Sequence, residues 1–266
     1  MKTDKKAGII FTILLCLTIS VYSQKDTMKT MKDQIGIRGG FNQGFLKDQI
    51  FSNLNYTENG YLVDLQYSNY TPNRNNLIEA NVNFSSGKLK TNNIDFFTSS
   101  YILANVNLVY LRKLPNHKSQ YFSSYLGVNY KTRVQYLDWN NQTAFSFIAT
   151  HGLSVQTNLF YNIKPKHSIE SALSIPVFQV LVRPPYNGID NFITDNQDNT
   201  FKLIFTGKPT SLNKYFAINW GTHYKYAISE QFELKLGYTL NYERVFETQE
   251  FIQLQNQIMA GINFKF

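Results

Sequence analysis

From about residue 34 onward the chain alternates apolar and polar side chains with a period of two. In the last segment Ile258, Ala260, Ile262, Phe264 and Phe266 hold the even positions, and Gln255, Gln257, Gly261, Asn263 and Lys265 the odd ones. A spacing of 180° per residue predicts a strand with one apolar face. The segment before it keeps the phase, with Phe232, Leu234, Leu236, Tyr238, Leu240 and Tyr242 opposite Glu233, Lys235, Gly237, Thr239, Asn241 and Glu243. The same pattern recurs around Ile35–Phe41, Tyr61–Tyr67, Ile78–Phe84, Ile102–Tyr110, Phe122–Tyr130, Phe145–Ile163 and Phe216–Ile228. A tenth segment, Ile169 to about Leu181, contains Pro176. Proline cannot donate to a ladder, so a bulge is expected there. Helix-period patterning is absent from this part of the chain. Each segment has about the 9–11 residues that a tilted strand needs to cross a bilayer, and two or three exceed it.

The polar face carries the charges. Arg38, Asp64, Glu79, Lys131, Arg133, His223, Lys225, Glu233, Lys235 and Glu243 all fall on it among many Asn and Gln. Alternation alone does not say which face points inward, and three further features do. Connections alternate in length, short at 71–75, 112–120, 164–167 and 229–231, longer at about 43–58, 85–99, 137–144, 182–214 and 246–252. Membrane barrels segregate short turns and long loops to opposite ends in this way. Aromatics crowd the strand ends, among them Tyr61, Tyr67, Tyr70, Tyr101, Tyr110, Tyr161, Tyr215, Tyr242 and Phe251, as interfacial girdles require. The chain closes on an alternating strand whose last residue is Phe266.

On the pattern Ile258, Ala260, Ile262, Phe264, Phe266, the sequence resembles the Gram-negative outer-membrane β-barrel protein superfamily over residues 34–266. No subfamily fingerprint stands out. The resemblance implies an all-β, closed antiparallel up-and-down transmembrane barrel, and it implies that Ile262, Phe264 and Phe266 address the barrel assembly machinery. An even strand number with both termini on the periplasmic side fits ten strands. Thr200–Phe205 leaves twelve open, either as part of a hairpin in the 182–214 loop or as further wall.

The first 23 residues change the accounting. Lys2, Lys5 and Lys6 precede an apolar run from Ala7 to Ile19, and Val21 and Ser23 stand before Gln24. This is the layout of a cleavable signal peptide, with an apolar core too short to span. Residues 24–33 then form a short periplasmic lead to the barrel, and the cell outer membrane is the expected destination. The chain has 266 residues and a net charge of +8. Loss of Lys2, Lys5, Lys6 and Asp4 leaves 23 basic and 17 acidic residues, +6, and removes Cys16, the single cysteine. Disulfides and thiol chemistry are thereby excluded from the mature chain. The basic residues form no stripe, and export makes nucleic acid an unsuitable partner. Lipid is the expected partner of the apolar face.

Candidate chemistry is sparse. A ten-strand barrel is little wider than one whose interior is filled by side chains, so the inward acids and bases are expected to pair across the lumen. His151 is the one catalytic candidate, near the external end of its strand, but period two sends Ser154 to the other face. The known outer-membrane phospholipase brings His and Ser onto one face two residues apart, and this sequence departs from that. Asp138, Asp190, Asp195 and Asp198 lie in external loops, and His117 and His167 in short turns. The long loop begins Arg183, Pro184, Pro185, Tyr186, whose prolines stiffen its exit from the barrel. It can present Tyr186, Ile189 and Phe192 to a surface ligand or fold them over the mouth. No phosphate loop, nucleotide fingerprint or metal-ligand spacing occurs, so no cofactor and no metal is indicated. The expected role is structural, in surface interaction or in passage of a small solute; the alternative is an outer-membrane hydrolase, lipase or protease, acting at the extracellular rim.

Overall fold

The computed structural model describes residues 33–266, except 72–74, 92–98, 116–120, 140–143, 190, 197 and 248, and leaves the side chains of residues 192 and 200 undescribed. The signal peptide, the lead segment before Asp33, His117 and Asp190 lie outside the described residues. Ten long strands form the wall: β1 (Asp33–Asp48), β2 (Tyr56–Tyr70), β3 (Asn76–Lys90), β4 (Ser99–Lys113), β5 (Phe122–Trp139), β6 (Ala144–Lys164), β7 (His167–Val182), β9 (Tyr215–Ala227), β10 (Phe232–Val245) and β11 (Phe251–Lys265). Between β7 and β9 stand two short helices, α1 (Asn191–Asn196) and α2 (Thr200–Phe205), and a three-residue strand, β8 (Lys208–Thr210). Each wall strand pairs antiparallel with its neighbours in sequence, and β1 pairs with β11 to close the ring. Asp33 and Phe266 exchange backbone hydrogen bonds at 3.2 and 2.9 Å, which fixes one end of the barrel as the terminal end and the other as the loop end.

The faces are inverted relative to a soluble barrel. Ile37, Phe41 and Tyr61 are 58%, 64% and 72% exposed, whereas Arg38, Asp64 and Lys235 are 6%, 3% and 2% exposed. An apolar outer surface of this extent is exceptional for a water-soluble chain.

The strands run longer than the pattern suggests because they continue past the apolar band. Toward the loop end the outward row changes from Phe41 to Gln43, Phe84 to Ser86, Ile102 to Ser100 and Tyr136 to Asp138, and pairing persists beyond each change. The connections expected at 43–58 and 85–99 therefore shrink to 49–55 and 91–98, and 183–214 remains the long one. The expected alternation of loop length does not hold throughout, since 246–250 at the loop end is shorter than 114–121 at the terminal end. Four aromatics assigned to the girdles also point the other way. Tyr101, Tyr215 and Phe251 are buried inside the barrel, and Tyr70 packs inside beside Leu77.

Thr200–Phe205 is a helix and not a strand, which corrects both readings of it. Asn199 caps the helix, its side-chain oxygen accepting from the N–H groups of Phe201 and Lys202 at 3.0 and 3.2 Å. The wall thus keeps ten strands. At Pro176 the expected bulge is present: β6 partners step from Ser154↔Pro176 to Leu153↔Phe178, leaving Val177 unmatched. On its other side β7 pairs with β9 through Ser174↔Asn219 and with β8 from Gln179↔Thr210, so Ile175–Phe178 have no ladder partner there among the described residues. The wall is closed by β8 above this seam and by β9 below it.

Candidate functional site

The lumen is where the charged side chains converge, and it is layered along its axis. At the loop end the inward positions are largely apolar, though Asp48 and Ser146 are among them. Leu46, Tyr56, Leu103, Leu137, Trp139, Ile148, Leu181, Val245 and Phe251 form one buried cluster, with Phe51 and Leu54 of the 49–55 connection packed on it. Phe51 stacks on Trp139 at 4.3 Å between ring centroids, and Trp139 Nε1 donates to Ser146 Oγ at 2.8 Å. Arg183 turns inward beside this cluster. Its guanidinium lies 2.7 Å from the Asp48 carboxylate, donates to the carbonyls of Glu247 and Gln249, and sits 5.7 Å from the centre of the Phe251 ring. One cation therefore ties the exit of β7 to β1 and to the β10–β11 connection.

Two glycines make the layer below possible. Gly60 and Gly87 face each other across β2 and β3, with Tyr101 next in line on β4. A Cβ on Gly60 would collide with the Tyr101 hydroxyl and the Ser86 carbonyl, and one on Gly87 with the backbone of Asn59 and Gly60. Their bareness lets the Tyr101 ring lie across two strands, so that its hydroxyl accepts from Asn42 on β1 at 2.9 Å and meets Ser85 Oγ at 3.2 Å. Asn42, Gln253 and Gln255 in turn surround the buried Glu58 carboxylate, Gln253 donating at 2.6 Å.

The middle of the lumen is a web of ion pairs and amides. Arg133 on β5 reaches Glu243 on β10 at 3.0 Å and donates to Gln135 at 2.8 Å. Lys131 donates across the lumen to Asn219 at 2.9 Å. Arg38 pairs with Asp64, its direct cross-strand partner, and lies 3.2 Å from His223 Nε2. Glu170 takes Lys225 at 2.7 Å and Lys235 at 3.5 Å, while Lys235 also donates to Gln66 on the opposite wall at 3.2 Å. Glu79 accepts from Gln66 and Ser68 at 2.9 and 3.1 Å, and Glu233 pairs with Lys265 at 2.6 Å. Buried charges are tolerable only when paired and hydrogen-bonded in this way. A cavity of about 190 Å³ remains among them, bordered on one side by Asn83, Asn105 and Asn129 and on the other by Arg38, Glu170 and Lys235.

The nine charged residues of the polar face and His223 thus point inward. Three acids absent from that set, Asp48, Glu58 and Glu170, are also buried inside; Glu58 shares even parity with Asp64 on β2, and that signal would have found it. Glu170 was hidden by the irregular strand around Pro176. His151 points outward. Its Nε2 lies 2.6 Å from the Ile204 carbonyl and its ring stacks on Phe205 at 4.4 Å, so α2 covers it against the outside of the wall, while Ser154 faces the lumen. The long loop crosses the loop end of β6, where Ser146 Oγ donates to Asn187 at 2.6 Å and Gly188 N–H to the Phe145 carbonyl at 3.0 Å. Pro184 is buried, while Tyr186 and Phe201 stay 65% and 76% exposed. At the chain end Ile262 and Phe266 are exposed on the outer face, and Phe264 packs between Phe232 and Phe266 at 5.4 and 5.9 Å. No group of three or more metal-ligating side chains occurs among the described residues.

Neither a protein-family model nor a curated protein matches this sequence. Solved structures do match in fold. The outer-membrane protease OmpT of Escherichia coli aligns with a TM-score of 0.54 at 8% identity, over 91% of this chain and 99% of that one. The transport unit of the Escherichia coli autotransporter AIDA-I aligns with a TM-score of 0.49 at 10% identity over 96% and 97%. Ail, the attachment invasion locus protein of Yersinia pestis, gives 0.30 at 11% identity over 89% and 100%. At 8% identity the likeness to OmpT is one of fold alone. The chain has the closed antiparallel barrel fold of the Gram-negative outer-membrane proteins.

Proposed function

We propose that this chain is an outer-membrane barrel whose lumen is sealed at the external end, and that its work is structural or at the surface. The apolar cluster around Trp139, Leu137 and Phe251 carries this reading, since it fills the inward positions of the loop end with side chains that neither hydrate nor conduct ions. The inverted faces and the fold support a matching location: in this reading the apolar wall sits in lipid, the terminal end lies in the periplasm after removal of residues 1–23, and the strand ending in Ile262, Phe264 and Phe266 meets the assembly machinery. The exposed Tyr186, Ile189 and Phe201 of the long loop are the surface offered outside.

Planar-bilayer recordings test this. Wild-type protein should give no stable conductance steps, and Leu137→Ala with Trp139→Ala should give small discrete ones, because the two truncations empty the seal while the wall remains paired. Large steady steps from the wild type would refute the sealed lumen. Passage of a small solute has one observation in its favour, the cavity of about 190 Å³ below the seal, and it requires the apolar layer to move. A rim hydrolase is supported by fold likeness alone, since His151 is engaged by Ile204 and Phe205; lipase or protease activity lost in His151→Ala would restore it.

A further inference from the structure

The terminal end of the barrel holds a second concave site that the lumen web does not use. Strands from both sides of the chain closure and the 165–166 turn enclose a cavity of about 350 Å³, within the size range of small-ligand sites. Its border is basic. Lys225 and Lys265 are matched by Glu170 and Glu233 at 2.7 and 2.6 Å, but Lys113, Lys164 and Lys166 make no ion pair among the described residues. Asp33, the remaining acid on the border, already accepts from Tyr67 and Asn69 at 2.6 and 2.7 Å. An excess of two positive charges is therefore left in one hollow. The lysines grade inward, from exposed Lys164 and Lys166 at the rim, through half-buried Lys113 and Lys265, to buried Lys225 at the floor. The floor is aromatic: Tyr125 meets Phe160 edge-on at 5.3 Å, Tyr70 packs beside them, and Lys225 Nζ stands 5.3 Å from the Phe160 ring centre.

Solvated rim lysines need no such arrangement. A graded cationic funnel focuses anions toward its base, and the aromatic rings beneath it offer apolar contact to the carbon skeleton of what it collects. We propose that this vestibule binds a small organic dianion, two carboxylates or a phosphate ester on a compact and partly apolar frame. Which side of the membrane supplies the ligand rests on the reading given under Proposed function; the binding itself does not, so it can be measured on the free barrel.

Calorimetric titration of the full chain, refolded in a neutral detergent at low ionic strength, with pyrophosphate and with benzene-1,3-dicarboxylate is the test. Saturable binding of the dicarboxylate is expected, with Kd raised roughly tenfold or more in the K113Q/K166Q variant, the scale that loss of two nearby charges implies. The control K88Q/K90Q removes two exposed lysines from the opposite end and should leave Kd unchanged. Unaltered migration of unboiled samples on a gel shows that both variants fold. Absence of saturable binding, or equal weakening in the two variants, overturns the proposal.

Discussion

The two halves of the lumen use the same inward parity for opposite chemistry. Toward the loop end Leu46, Leu103, Leu137, Trp139 and Phe251 exclude water by packing, and toward the terminal end Arg38, Glu79, Glu170 and Lys235 fill the space by pairing. The first solution depends on shape and the second on partners. A sheet closed into a narrow barrel can be stoppered by either, but each fails differently. A truncated apolar side chain leaves a hole at a definite height, whereas a truncated ion leaves its partner unmatched inside the wall.

The largest effect should come where the halves meet. Arg133 is the cation that Glu243 and Gln253 share just below the apolar cluster. Arg133→Ala should destabilise the barrel by about 3–5 kcal/mol in reversible urea unfolding from lipid vesicles, because it strands a buried carboxylate. The double variant Arg133→Met with Glu243→Leu should recover most of that loss, since an apolar pair simply extends the loop-end chemistry downward by one layer. Equal loss in single and double variants would mean that the two halves are not separable in this sense.

How much of this was legible beforehand follows from what period two can encode. It assigns each side chain to a face, which is why the nine charged residues and His223, the ten wall strands and the bulge at Pro176 could be read along the chain. It does not encode what lies across the lumen, so the meeting of Lys131 with Asn219 or of Lys235 with Gln66, on strands far apart in sequence, had no local signal. Nor does it give height. Tyr101, Tyr215 and Phe251 sit near strand ends as a girdle residue does, and only their parity distinguishes the lumen from the outer face. The short helix at Thr200–Phe205 was masked because six residues are too few for a 3.6 period to outweigh a β-compatible composition, although Asn199 at its start was the available clue.

A smaller effect should follow from filling the gap between the glycines. Gly60→Ala places a methyl group against the Tyr101 hydroxyl and the Ser86 carbonyl, so the ring must lift and the ladder must shift. A loss of about 1–3 kcal/mol is expected, the usual range for overpacking. Tyrosine fluorescence should change with it, as Tyr101 leaves Asn42 and Ser85. If stability and fluorescence are both unchanged, the tyrosine does not hold the boundary between the layers.

The smallest change probes the polar half by itself. Asn105 borders the central cavity and donates weakly to Asn83 at 3.4 Å, while its own side-chain oxygen has no partner among the described residues. Asn105→Ala should therefore cost no more than about 1 kcal/mol, the net worth of one hydrogen bond, even though it widens the cavity. Conductance should stay absent, because the added space opens below an apolar layer that is intact. The comparison turns on this pairing of outcomes. Space opened beside Asn83 should be harmless, whereas space opened at Leu137 and Trp139 should conduct, and a current through Asn105→Ala would mean that the web of amides, and not the apolar cluster, holds the barrel shut.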